Sequence, residues 1–172
     1  MMHWYLSHQA DPRAVKLADR HYSRKSPGTG QFMPPGRMLI LATLAGDAVW
    51  ATSWPLPELV PYRADAWVCT IFRNESAILS SALICEAIAA TRWKYGTPPV
   101  GGMVTFIDAR KVTSRNPGYC FKRAGFTHTG YTKKRLHILQ LLPQDMPAPA
   151  MPYGATYPLL EELRKEETTH AA

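Results

Sequence analysis

Apolar and polar positions along the chain change period several times, and each change marks an element. Trp67, Cys69 and Ile71 alternate with Val68, Thr70 and Phe72. Both sets are largely apolar, which predicts a strand covered on both faces. The run breaks at Arg73-Asn74-Glu75-Ser76 and the spacing turns helical, with Leu79, Leu83 and Ala87 four apart and Ile84 and Ile88 likewise. Asn74 or Ser76 is expected to cap that helix, and Gly96 before Pro98 to end it. A buried strand that runs through a polar turn into a helix aims unpaired N–H groups and a positive dipole end at one place. Such a place suits an anion or a reacting group.

The remaining elements follow by the same rules. His3 to Ser7 predicts a short strand, and Asp11 with Pro12 starts a helix that buries Ala14, Leu17 and Ala18 and ends near Arg20–Arg24. Lys25 to Pro35 holds two glycines and three prolines and is expected to be a loop long enough to be functional. Arg37–Ala45 and Asp47–Trp54 form a hairpin about Gly46-Asp47, and the prolines at 55, 57 and 61 keep the next stretch irregular. Val100–Ile107 is a buried strand ending in Asp108. Asn116-Pro117 opens a short helix closed by Gly125, and Phe126–Tyr131 and Arg135–Leu142 are strands. The order β-α-β-β-β-α-β-α-β-β predicts a mixed α/β domain over 1–144. Residues 145–172 are expected to be an appendage: a Pro-rich tether (Pro143 to Pro158), a short amphipathic helix at Leu159–Lys165 and an acidic tail.

Composition narrows the class. No run of about 18 apolar residues exists to span a membrane, and the N-terminus lacks a signal-peptide layout. Cys69, Cys85 and Cys120 have apolar neighbours and no C-x-x-C spacing, which fits reduced thiols in the cytoplasm rather than a cysteine zinc site. The net charge of +7 is uneven: residues 1–144 carry 18 Lys and Arg against 8 Asp and Glu, the remainder 2 against 5. From Arg110 to Arg135 there are eight basic residues and no acidic one. A field of one sign at that density favours a polyanion, either nucleic acid or a phosphate-bearing cofactor.

The element order, with a central strand feeding a helix, resembles the GCN5-related N-acetyltransferase-like fold, a mixed central sheet flanked by helices. Asn116 to Phe126, NPGYCFKRAGF, resembles the late motif of that family. The family cradles the pyrophosphate of acyl-CoA with a Gly-rich loop, whereas Arg73 to Ala77 contains no glycine. Acetyl-CoA is therefore not expected to dock there in the usual way, and the group donor stays open. A narrower resemblance rests on HYSR (His21 to Arg24), PPG (Pro34 to Gly36), FRNE (Phe72 to Glu75), LSSALICEA (Leu79 to Ala87), TFID (Thr105 to Asp108) and NPGYCFKRAGF. Together these resemble the Mom family of phage DNA-modification proteins, across roughly His21 to Leu142. The resemblance implies an enzyme that adds a carbamoylmethyl (acetamido) group to the exocyclic amine of adenine in DNA, protecting phage DNA from restriction. It implies double-stranded DNA as partner, iron as the metal and the cytoplasm of a host bacterium as location. A homodimer is compatible with it, and no membrane is expected. Two other classes stay open. One is a conventional N-acetyltransferase using acetyl-CoA on an amine of tRNA, a peptide or a small molecule; the other is a DNA-binding accessory protein without catalysis.

The candidate catalytic residues are His21, Tyr22 and Asp108, with Arg73 and Ser80. An adenine amine must shed a proton as it reacts, and Asp108 or His21 can take it. His21, Tyr22 and Asp108 are also a donor set that suits iron. Arg73 needs an anionic partner, either Glu75 or a phosphate. Ser80 offers a hydroxyl to the site or serves close packing. The DNA-binding candidates are Arg24, Lys25, Arg110, Lys111, Arg115, Lys133 and Lys134, mostly as phosphate contacts.

Overall fold

The computed structural model describes residues 1–55 and 65–155. The expected helix at Leu159–Lys165 and the prolines at 57 and 61 lie outside them. Among the described residues seven strands form one sheet: β1 (Trp4–Ser7), β2 (Arg37–Thr43), β3 (Ala48–Trp54), β4 (Trp67–Asn74), β5 (Met103–Ile107), β6 (Thr127–Tyr131) and β7 (His137–Leu141). Their order is β1-β2-β3-β4-β5-β7-β6. All neighbours are antiparallel except β4 and β5. Parallel neighbours need a crossover connection, here the helix α2 (Ser80–Tyr95). Helix α1 (Pro12–Asp19) joins β1 to β2, and α3 (Tyr119–Arg123) precedes β6. Among the described residues no helix is long and apolar enough to cross a membrane.

Local chemistry explains the boundaries. Asp11 caps α1 by accepting from Arg13 N–H at 3.0 Å, with Pro12 in the first turn. In the β2–β3 turn, Thr43 Oγ1 accepts from the backbone N–H groups of Asp47 and Ala48 and bonds the Asp47 carboxylate at 2.6 Å. Helix α2 starts later than the sequence suggests, and its N-cap, Leu79, supplies no side-chain bond. Asn74 and Ser76 instead close the preceding loop on itself. The Asn74 carboxamide accepts from Ser76 N–H at 2.9 Å and donates to Ile78 O at 2.7 Å. Gly96 (φ 76) ends the helix as expected.

The sheet separates two apolar layers. Trp50, Trp67, Leu39, Leu41, Leu139 and Leu141 face α2 and α3, while Ile40, Val49, Ala51 and Ile71 face α1. Helix α2 buries Leu83, Ile84 and Ile88 fully, and each such side chain contributes roughly 1.5–3 kcal/mol by leaving water. Strict alternation along β4 would put Trp67, Cys69 and Ile71 on one face, but Ile71 lies on the other. The cause is a β-bulge: Cys69 pairs with Thr52 and Ile71 with Ala51, so Thr70 is the extra residue.

That bulge positions the site. β4 pairs with β5 only over Trp67, Val68 and Cys69. Beyond Cys69 the bulged strand bends away, and the two strands part toward their C-terminal ends.

The expected tether is not free. The 3₁₀ turn Pro143–Asp145 leads to buried Met146, and the carbonyls of Met146 and Pro147 accept from Arg92. Ala150 N–H donates to Ala89 O, and Tyr153 bonds β1 through Trp4 and Leu6. Proline holds this run extended, so its unpaired carbonyls can reach α2 and its backbone can lie along an edge strand.

Candidate functional site

Where β4 and β5 diverge, a cleft of about 360 Å³ opens. One wall comes from the strands: Thr70 and Phe72 of β4, and Thr105, Phe106 and Ile107 of β5. The chain after β5 forms the opposite wall, with Val112, Ser114, Tyr119 and Phe121. His21 and Tyr22 of the turn after α1 close the side. The lining is aromatic and apolar with neutral hydrogen-bonding groups, and among the described residues no carboxylate, Lys or Arg is part of it.

Two of the predicted catalytic residues meet here. The rings of His21 and Tyr22 stack at 4.5 Å. Tyr22 Oη donates to Phe106 O at 3.3 Å and accepts from Asp108 N–H at 3.4 Å, tying the α1 turn to the end of β5. Burial, with the nearby Arg73 charge second, lowers the His21 pKa to about 4, so the imidazole is neutral near pH 7. Its Nδ1 accepts from Ser23 N–H at 3.2 Å and lies 2.7 Å from Ser23 Oγ. The ring proton is therefore on Nε2, and His21 is a hydrogen-bond donor through that atom.

Asp108 does not join them. It is the expected end-of-strand aspartate, but both its carboxylate oxygens are engaged by the Arg110 guanidinium, at 2.8 and 3.0 Å, and one also accepts from Arg110 N–H. That guanidinium is the main reason its pKa is lowered. The side chain makes a turn, and it is not part of the cleft lining. Of the proposed iron ligands, Tyr22 Oη is spent on backbone and Asp108 on Arg110, while His21 spends Nδ1 on Ser23 and keeps only Nε2. Among the described residues no group of three or more His, Cys, Asp and Glu is placed to hold a metal. As built, the set does not fit iron.

Arg73 and Ser80 also have other partners. Arg73 donates to Glu75 at 2.6 Å and to Arg20 O at 2.9 Å, while Arg20 holds Glu75 through two further bonds of 2.8 and 2.6 Å. Hydrogen bonds from the two guanidiniums, Arg20 first, pull the Glu75 pKa down to about 2. Arg73 acts on the cleft through its charge, which helps keep His21 neutral. Ser80 Oγ, at the first residue of α2, accepts from Asn74 at 3.0 Å and ties the helix to the loop before it.

The basic candidates divide. Lys25, Lys111, Arg115, Lys133 and Lys134 are exposed, and Arg110 keeps 72% of its side chain in solvent despite its partner. Arg24 is different: its side chain is 6% exposed. It pairs with Asp19 at 2.8 Å and donates to Gln31 O and to Thr29. It organises the loop after α1 and is not a phosphate contact.

Thr70, Thr105, Ser114 and Ser23 escaped sequence reading. Nothing in the apolar alternation of β4 announces a bulge, Thr105 and Ser114 gain their roles only when distant segments meet, and Ser23 is a local partner of His21 that one polar residue among several in that turn does not single out. Cys69 and Cys120 also line the cleft, but burial raises both pKa values, so they are protonated thiols rather than nucleophiles. Compared with protein-family models, with curated proteins and with solved structures, the chain finds no match.

Proposed function

We propose that this chain is a transferase of the Mom type, modifying the exocyclic amine of adenine in DNA on an acyltransferase-like fold. One observation carries the reading: an uncharged aromatic cleft is walled by a segment whose outer residues are cationic. Val112, Ser114, Tyr119 and Phe121 face the cleft, while Arg110, Lys111, Arg115 and Arg123 of the same stretch are exposed. A neutral heterocycle attached to a polyanion satisfies both halves. A flipped nucleobase has that character, and flipping costs a few kcal/mol that phosphate contacts offset.

The short motifs that resemble those of the Mom family support the same reading, as does the parallel pair β4 and β5 joined through α2. The loop between them supports a donor other than pyrophosphate-bound acetyl-CoA. Its groups are bonded to one another, and the Glu75 carboxylate stands where a phosphate would approach. In the proposed reaction adenine N6 attacks the methylene carbon of an activated carbamoylmethyl donor, the bond from that carbon to the donor's leaving group breaks with its electron pair going to the leaving group, and the cationic N6 then sheds its proton. Water entering the open cleft suffices as acceptor, so no carboxylate base is needed there. His21 Nε2–H holds a ring nitrogen of the base or a carbonyl of the incoming group, and aromatic walls at Phe72 and Tyr119 position the ring.

Nucleoside mass spectrometry of DNA from cells expressing the chain tests this. The expected product is a deoxyadenosine heavier by one carbamoylmethyl group, absent with His21→Phe. Unmodified DNA from cells holding soluble protein, or tight acetyl-CoA binding lost on Arg73→Ala, would overturn it.

A further inference from the structure

At one end of the sheet three residues stand side by side: Tyr131 of β6 opposite His137 of β7, and His137 opposite Ile107 of β5. Ile107 lines the cleft. The loop from β6 to β7, residues 132–136, therefore projects beside the mouth of the cleft, at the end where Arg110 and Lys111 leave β5. It is a tight turn. Arg135 N–H donates to Thr132 O at 2.9 Å, Thr132 N–H to Leu136 O at 2.9 Å, and Leu136 N–H to Thr132 Oγ1 at 3.1 Å.

Arg135 has φ 64, and among the described residues it alone is a non-glycine with positive φ. Hairpin loops ordinarily put glycine in that conformation, because a Cβ is strained there. The hydrogen bonds of the turn would form equally with glycine at this position, so they do not account for the arginine. Arg135 is exposed, and no carboxylate of the described residues pairs with it. Its one prop is Tyr131, whose ring lies 5.0 Å from the guanidinium. Tyr131 in turn packs edge-on against His128 and His137, each at 4.9 Å. Lys133 and Lys134 stand exposed in the same loop. A strained arginine that the turn does not require, braced at a site entrance, is a reason to look for a ligand.

We propose that the β6–β7 hairpin is a finger that grips duplex DNA beside the cleft, with Arg135, propped on Tyr131, bound to a backbone phosphate. Lys133 and Lys134 take neighbouring phosphates. The inference rests on the nucleic-acid reading of the cleft and adds to it the element that seats the duplex. Arginine suits the role because its planar fork meets a phosphate through two parallel hydrogen bonds, which lysine cannot supply.

Arg135→Gly separates the ligand role from a structural one, since glycine relieves the turn. The variant should melt at a higher temperature than the parent, yet bind a short duplex of arbitrary sequence more weakly by fluorescence anisotropy. The slope of log affinity against log salt should shrink by about 0.9, one phosphate contact. Arg135→Lys should keep the slope and lose part of the affinity; Tyr131→Leu should also weaken binding without changing the slope. Lys16→Gln, on α1, should leave binding as it is. If the parent binds duplex with a steep salt dependence and Arg135→Gly matches it in affinity and slope, the finger is wrong while the nucleic-acid reading stands. If the parent shows no salt-dependent binding, both fall. Preference for single strands or RNA over duplex overturns the duplex assignment.

Discussion

Gly118 is where the fold of the cleft wall can be tested most directly. It sits at φ 72 just before α3, and it lines the cleft. A Cβ placed there would fall far inside van der Waals contact with Leu139 Cδ1 and 3.3 Å from Ile107 Cγ1. Leu139 is fully buried and Ile107 nearly so, so neither can swing into solvent. Gly118→Ala therefore combines two costs: about 1–2 kcal/mol for the left-handed backbone and about 1–3 kcal/mol for overpacking. A total near 3 kcal/mol corresponds to a drop in melting temperature of about 6–12 °C for a domain of this size. Gly28→Ala is the control, because Gly28 has φ 84 but nothing within 4 Å of a built Cβ. It should lose only the backbone part. Thermal unfolding followed by circular dichroism reads both variants. Leu139→Val, which removes the blocking methyl, should couple with Gly118→Ala by about 0.5–3 kcal/mol in a double-mutant cycle. Equal losses for the two glycine variants, with additive behaviour at Leu139, would refute the close approach of α3 to the sheet.

Four further outcomes follow from the site. His21→Gln keeps an N–H donor and should retain part of the modification activity, whereas His21→Phe should lose about 10²–10³-fold; equal loss in both would mean that the imidazole acts as a base. Asp108→Asn keeps the acceptor for Arg110 N–H, so DNA modification and melting temperature should stay close to those of the parent, and lost modification in well-folded protein would return Asp108 to the mechanism. Arg24→Ala should leave DNA affinity unchanged but expose residues 25–35 to limited proteolysis, since Asp19, Thr29 and Gln31 lose their shared partner; weakened DNA binding without loop cleavage would contradict that. Stability should fall as pH drops from about 6.5 to 4, because the unfolded chain protonates His21 while the fold does not, a loss of up to about 3 kcal/mol. Urea titrations of the parent and of His21→Phe check the sign, and the variant should lack that part of the slope.

Much of the architecture was legible in the chain itself, because secondary structure depends on short-range periodicity and a few punctuating residues. Asp11-Pro12 starts α1, Gly96 ends α2, and Gly46-Asp47 turns β2 into β3, each through local bonds that need no distant partner. The buried helix face of Leu83, Ala87 and Ile88 and the apolar strand around Trp67 were equally visible. So were the acid-free basic stretch and the pairing of Arg73 with Glu75, two residues apart.

Side-chain commitments were less legible, because they are competitions among neighbours. Asn74 and Ser76 look like helix caps, yet they bond each other and Ile78, and α2 begins at Ser80 without them. Asp108 looks like a free carboxylate at a strand end, but Arg110 folds back onto it. Arg24 looks like a surface cation until the loop after α1 wraps its guanidinium in carbonyl oxygens. The prolines after 143 suggest a tether, although what they do is hold a backbone extended against α2 and β1.

By itself the sequence determined the elements, their order and the sign of the electrostatic field, all of which are properties of composition and local spacing. Tertiary structure alone decided that there is a cleft, and what faces it. The extra residue Thr70 bends β4 away from β5, a pairing defect defined only by the partner strand Ala48–Trp54. Residues from positions 21 to 121 then converge on the gap, and burial there, with the charge of Arg73, makes His21 a neutral donor. Arg135 likewise reads as one basic residue among eight until the turn forces its φ positive. Convergence and burial are set by contacts between segments far apart in the chain, and the strain at Arg135 by a turn whose closure only the pairing of β6 with β7 brings about.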